Sequence, residues 1–187
     1  MEKISVKTPL TLETVKMLKV GDQVLITGVI YTARDAAHMR LVEAINRGED
    51  LPVNLENQII YYVGPAPAKP GQVIGSAGPT TSYRMDTLTI PLFKKGLRGM
   101  IGKGSRSQVV VEGMKKYGAV YFAAIGGAGA LIANSVVASK VVAYEDLGAE
   151  AIHELTVVDF PAIVVVDVEG NDLYQLERRK YQTIILD

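Results

Sequence analysis

The sequence predicts a layered α/β domain. Short runs rich in Val and Ile read as buried strands, and the segments between them carry apolar residues at helical spacing. Gly- or Pro-bearing turns mark most junctions. The chain has 187 residues, 48% of them hydrophobic and 21% charged, the balance of a globular protein with a sizeable core. A single domain over residues 1–187 is expected, with the middle loops gathered at one edge of the sheet.

The elements follow in order. In "TPLTLETVKML", Thr11 stands before a short apolar-periodic stretch and reads as a helix cap. "QVLITGVIYTA" is β-branched and continuous, a strand ending near Ala33. "RDAAHMRLVEAINRGE" has helical spacing and stops at Gly48. "QIIYYVGPAPAKPG" is a strand entering a Pro-rich loop, and "QVIGSAGP" reads as a second short strand. A helix is expected from Thr81 to Phe93, with Pro91 ending or distorting it. "RGMIGKG" is a strand with a glycine turn, and "SRSQVVVEGMKKYG" a helix closed by Gly118. "AVYFAAIGG" is a strand, and "AGALIANSVV" a short helix or irregular turn. "SKVVAYEDL" and "IHELTVVDFPAIVVVDVEGNDLY" supply further strands, the last pair turning at "EGND". "LERRKYQTIILD" reads as either helix or extended tail.

Composition narrows the function. Twenty Lys and Arg balance twenty Asp and Glu, which speaks against a nucleic-acid or membrane-surface binder, since both rest on a basic field. The apolar runs fall short of a spanning helix and no basic-then-apolar leader opens the chain, so a cytoplasmic protein is expected. The absence of cysteine excludes disulfides and thiol catalysis, and leaves no thiolates for an iron–sulfur cluster. His38 and His153 are too few for an all-histidine zinc site, and His153 reads as an ordinary strand or surface residue.

Two nucleotide signatures fail. "GMIGKGS" has Leu97 where a phosphate loop needs its first Gly, and Gly104 where Ser or Thr should follow Lys103. "GGAGAL" lacks the third Gly of a dinucleotide fingerprint.

Three segments are more informative together than apart. Arg34 in "YTARDAAH" stands where a strand ends and a helix starts. "GSAGPTTSYRMD" concentrates glycines and small hydroxyls at one turn. Pro79 suits a first helical position, and Thr80 and Arg84, four apart, would share a helix face. Lys103 lies between two glycines at another strand-to-helix turn. Each segment alone has a structural reading: Thr80 or Thr81 as a cap, the arginines as solvated charges, the glycines as turn formers. Together, three cations at strand ends suit a small molecule with two carboxylates, which Arg binds by a two-pronged fork and Lys as a point charge.

"GPTTSYRMD", "IGKGSRSQ", "AIGGAGAL" and "DFPAIVVVDVEGND" occur in one order. With them the chain, from about Gly21 to about Leu173, resembles the non-cluster part of class I iron–sulfur fumarate hydratases and L-tartrate dehydratases. The resemblance implies a layered, swivelling β/β/α fold and a β subunit of a two-subunit hydro-lyase. A cysteine-bearing α subunit would hold a 4Fe–4S cluster and the pair would form a hetero-oligomer, with a homodimer left open for the isolated chain. It implies Thr80 as catalytic base, assisted by an aspartate of the α part, and Lys103 at the carboxylate and proton-handling side. Arg34 is implied as a carboxylate clamp, with Thr81 and Arg84 as further substrate contacts. This sequence departs from the family pattern at Ser82-Tyr83, often Ala-Gly, and at Ser105, often Asn. Fumarate is the expected substrate. L-tartrate is the alternative, and a stand-alone organic-acid-binding module the reading from another class.

Overall fold

A computed structural model describes residues 3–182. Its strands are β1 (Ile4–Lys7), β2 (Gln23–Thr32), β3 (Ile59–Tyr61), β4 (Gly99–Gly102), β5 (Val120–Ala123), β6 (Val136–Ala143) and β7 (Ile152–Val166). The helices are α1 (Leu12–Met17), α2 (Asp35–Arg47), α3 (Asp86–Lys94), α4 (Gln108–Tyr117), α5 (Gly129–Ala133) and α6 (Leu173–Gln182).

The strands form one sheet in the order β1-β2-β3-β4-β5-β7-β6, and a further pairing of β2 with β7 closes it into a barrel. β2 to β5 run parallel, while β7 is antiparallel to β2, β5 and β6. Its 15 residues let it bridge these neighbours, pairing with β5 near Val164 and with β6 near Leu155. The closing pair is bulged between Ile26 and Gly28, which bends a long strand enough to wrap. Gly28 has φ 128°, and a Cβ there would overlap Thr8 Oγ1, so this bend requires glycine.

Alternation along the strands sorts side chains into two cores. Ile59, Tyr61, Ile101 and Phe122 join Ile26, Ile30, Phe160 and Val164 within the barrel. Their neighbours Ile60, Tyr62, Met100 and Tyr121 face outward, against Leu41 of α2, Leu92 and Phe93 of α3, and Val110 and Met114 of α4. Barrel and helices thus give the layered β/β/α arrangement.

Most expected elements are present. Thr11 Oγ1 accepts from Thr14 N–H at 3.0 Å at the start of α1. Gly48 and Gly118 close α2 and α4 with φ of 69° and 68°. Four expectations are corrected. "QVIGSAGP" is not a strand: it folds against the preceding loop through Ala66 N–H to Ser76 O and Gly75 N–H to Ala66 O, at 2.9 and 3.1 Å. The helix expected from Thr81 opens as a 3-10 turn, Ser82–Met85, and α3 continues past Pro91 to Lys94. Pro91 removes one bond, but buried Leu92 and Phe93 hold the last turn against the core. "SKVVAYEDL" leaves the sheet at Ala143; Tyr144 turns with φ 56° into 3-10 turns, Glu145–Glu150. The run from Ile152 is one strand, and "EGND" turns into α6 instead of another strand. The "LERRKYQ" segment is helical; "TIILD" lies outside the described residues.

Candidate functional site

Because β2 to β5 are parallel, their C-terminal ends open on the same edge of the sheet, where a ligand can meet several loops at once. Arg34 follows β2 as the N-cap residue of α2. The Thr80–Arg84 segment crosses the ends of β3 and β4. Thr80 N–H donates to Tyr62 O at 2.8 Å, Thr81 forms a β-bridge with Lys103, and Ser82 N–H donates to Lys103 O at 2.9 Å. Lys103 follows β4. Its side chain runs over Gly126 of the loop after β5, where a Cβ would stand 3.7 Å from Lys103 Cδ. The structure therefore brings Arg34, Thr80, Thr81, Arg84 and Lys103 to one edge.

Gly129 has a steric reason to be glycine. Ala77 N–H bonds Gly129 O at 3.0 Å, and a Cβ on Gly129 would stand 2.7 Å from Gly78 N. The backbones of "AGPTT" and "GGAGAL" touch, which only a hydrogen side chain permits.

The two arginines share a carboxylate that the sequence reading did not single out. Arg84 Nε lies 2.9 Å from Asp35 Oδ1, and Arg34 Nη2 lies 3.8 Å from Asp35 Oδ2 and 3.4 Å from Glu150 Oε1. Glu150 Oε2 also accepts from Ala36 N–H at 3.2 Å. Asp35 had a signal, an acid in the first turn of a helix. Glu150 had none, since it arrives from the 3-10 turn before β7. Arg34 Nε is buried without a hydrogen-bond partner, a donor in want of an acceptor.

Lys103 is exposed and makes no ion pair with the described residues. Thr80 and Thr81 are half-buried. Thr81 is the N-cap residue of the 3-10 turn but makes no side-chain cap bond. The capping alternative therefore fails for Thr81, and Thr80 sits one residue further out.

A buried polar layer underlies this edge. Arg106 is inaccessible and binds Asp86 Oδ1 at 2.7 Å, Tyr62 Oη at 3.0 Å and Thr89 Oγ1 at 2.9 Å. Ser107 N–H completes the arrangement by donating to Asp86 Oδ2 at 2.7 Å. These bonds tie the loop after β4 to the start of α3. Below Arg34, the fully buried His38 donates from Nδ1 to the Arg34 carbonyl at 2.9 Å, and burial pulls its pKa down to about 4. His153, on β7, is lowered too, again by burial.

The donor set does not suit a cluster or metal: guanidiniums, an ammonium and hydroxyls repel or ignore iron, and among the described residues no three His, Cys, Asp or Glu converge on a metal-sized point. Chemically, the edge can hold anionic oxygens and offer neutral hydroxyls beside them.

Comparison with known proteins places the chain in a family. The family described as Fumarase C-terminus matches residues 1–177. A Methanocaldococcus jannaschii protein provisionally named L(+)-tartrate dehydratase subunit beta is 42% identical over 91% of this chain and 91% of its own. The aerobic class I fumarate hydratase of Salmonella typhimurium is 41% identical over 88% of this chain and 29% of its own length. Fumarate hydratase 2 of Leishmania major is 38% identical over 92% and 31%. The chain thus spans about three tenths of these fumarate hydratases and nearly all of the archaeal subunit. A match over almost its whole length, with strand-end motifs that meet at one edge, makes this chain a member of the Fumarase C-terminus family.

Proposed function

We propose that this chain is the β part of a two-part hydro-lyase, and that its sheet edge binds a four-carbon dicarboxylate. The observation that carries the proposal is the meeting of Arg34, Arg84 and Lys103 with two uncapped threonines at the ends of parallel strands. Fumarate, hydrated reversibly to L-malate, is the substrate we favour. L-tartrate is the second reading, favoured by the relative of matching length. Residues 1–187 would act as one domain, in the cytoplasm, joined to a cysteine-bearing α subunit that holds the 4Fe–4S cluster.

The chain's own residues have distinct tasks. Arg34 and Arg84 hold the substrate carboxylates in forked hydrogen bonds, exchanging part of their contact with Asp35 and Glu150 for the ligand. Lys103 adds a point charge that stabilises the enolate-like carboxylate formed as the C3 proton leaves. Thr80 Oγ1 receives that proton as its own hydroxyl proton passes to an aspartate of the α part, with Thr81 contacting the substrate beside it. A threonine hydroxyl is a weak base in water, so this role needs a dry site next to the cations, which closure against the partner would supply.

The test is co-production with a candidate cysteine-bearing subunit, followed by rates with L-malate, fumarate and L-tartrate. Turnover of malate and fumarate above tartrate supports the first reading, and the reverse order the second. Tight dicarboxylate binding by the chain alone, with no turnover in any complex, would replace both by the binding-module reading.

A further inference from the structure

Lys103 has no carboxylate of the described chain beside it, so its place in the site depends on its backbone. Ser82 grips both polar backbone groups of that residue. Ser82 N–H donates to Lys103 O at 2.9 Å, and Lys103 N–H donates to Ser82 Oγ at 3.1 Å. Ser82 Oγ also lies 2.8 Å from Tyr121 Oη, which donates to Gly104 O at 2.8 Å. A carbonyl only accepts, so the Tyr121 proton is committed to Gly104. The Ser82 proton must then go to the Tyr121 oxygen, and each hydroxyl in the ring has one role as donor and one as acceptor. Ser82 and Tyr121 are both fully buried. Burial pushes the Tyr121 phenol up, which keeps its proton in place. A Cβ on Gly102 would overlap Ser82 Oγ, so the ring closes only over glycine.

We propose that Ser82 and Tyr121 are positioning residues for Lys103, a buried hydroxyl ring that fixes the loop carrying the ammonium and thereby the affinity for a substrate carboxylate. The proposal rests on the dicarboxylate reading above. It adds two residues that touch no substrate and act through the backbone of one that does. The ring crosses three elements: the 3-10 turn, the loop after β4, and β5. A substitution on β5 should therefore be felt at Lys103, although Tyr121 is several bonds away from the ammonium.

The experiment uses Ser82→Ala, Tyr121→Phe and the double variant, each removing a hydroxyl with little change of shape. In the isolated chain, hydrogen exchange of the Lys103 amide should speed up tenfold or more in each. The Val120 amide, which donates to Arg98 O within the sheet, should keep its rate. In the reconstituted complex, KM for the dicarboxylate should rise several-fold with a smaller change in kcat, and the double variant should be no worse than the worse single one, since either change opens the same ring. Unchanged exchange at Lys103, or exchange raised equally at Val120, overturns the proposal. So does faster exchange at Lys103 with unaltered KM, which leaves the ring a purely structural role. If the wild-type complex turns over no dicarboxylate, the functional reading falls by itself. Amide exchange in the isolated chain still decides whether the ring holds Lys103.

Discussion

The Thr80 hydroxyl caps no helix in the structure. A cap would spend its oxygen on a backbone N–H, yet the N-cap position belongs to Thr81, which makes no such bond. Thr80 instead anchors by its backbone to Tyr62 O at 2.8 Å. Thr80→Val should therefore leave the melting temperature nearly unchanged and lower the rate by about 10²–10⁴-fold, the range for a lost general base. Thr80→Ser should keep part of the activity. Deuterium exchange at C3 of malate in the reconstituted complex checks this, and wild-type exchange in Thr80→Val would move the base to Lys103 or to the partner. The arginines make a different forecast because each is already paired in part. Hydrogen bonds to charged groups are worth about 1.5–3 kcal/mol, so Arg34→Met and Arg84→Met should each lower kcat/KM by roughly ten- to hundredfold. Arg84→Met removes the closer partner of Asp35, at 2.9 Å, from the more exposed arginine, whereas Arg34→Met removes the more buried one, with its contacts to Glu150 at 3.4 Å and to Asp35 at 3.8 Å. Greater loss of stability is expected from Arg34→Met, and thermal melting of the two variants reads the difference. Kinetics equal to wild type in both would remove this pocket from consideration.

At the scale of elements, the site exists because loops from four strand ends approach closely, and glycine sets how closely. Gly129→Ala would place a methyl 2.7 Å from Gly78 N and 3.0 Å from Gly78 Cα, backbone atoms that have no rotamer to change. Overpacking of this kind costs about 1–3 kcal/mol. A drop in denaturation midpoint together with a raised KM is expected, since the shifted segment carries Thr80 and Arg84. A stable Gly129→Ala protein with unaltered KM would show that these loops do not set one another's position. The same elements show what the sequence could disclose. α2 and α4 were legible because periodicity and a terminal glycine are local signals, and Arg34, Thr80, Thr81, Arg84 and Lys103 were legible as polar groups concentrated at strand-end turns. The segment 72–79 looked like a strand because Val73 and Ile74 are β-formers, but the hydrogen bonds of Gly75 and Ser76 go to Ala66 in the preceding loop. Pro91 misled in the other direction, since core contacts at Leu92 and Phe93 outweighed one lost helical bond. Glu150 and the Ser82–Tyr121 ring depend on contacts between distant segments, which no local pattern encodes.

For the molecule as a whole, the edge that would bind substrate is rich in cations and hydroxyls and has no thiolate, so the chain by itself should be colourless, free of stoichiometric iron and without hydro-lyase activity. Adding the cysteine-bearing subunit with its cluster should restore turnover, and activity of the chain alone would overturn the two-part reading. Its stability should also carry a signature of acidity independent of any partner. His38 is fully buried and neutral, its ring edge-on to Tyr62 with centroids 5.3 Å apart, and Nε2 has no partner to stabilise a second proton. Burial is the main cause of its low pKa, reinforced by repulsion from Arg106 and opposed by the bond to Arg34 and by Asp35. In the unfolded chain its pKa returns to about 6.5, whereas folded it is about 4. Between those values the unfolded state binds the proton and the folded state does not, so folding weakens as pH falls through this window and His38 adds no further loss below it. At 1.36 kcal/mol per pKa unit, the cost is at most about 3 kcal/mol. Other groups titrate there too, so the informative quantity is the difference between wild type and His38→Gln. Urea midpoints from pH 7.5 to pH 4 should fall more steeply in the wild type. Parallel curves would mean that His38 takes up its proton without unfolding, and that the ring beneath Arg34 is not held neutral by its burial.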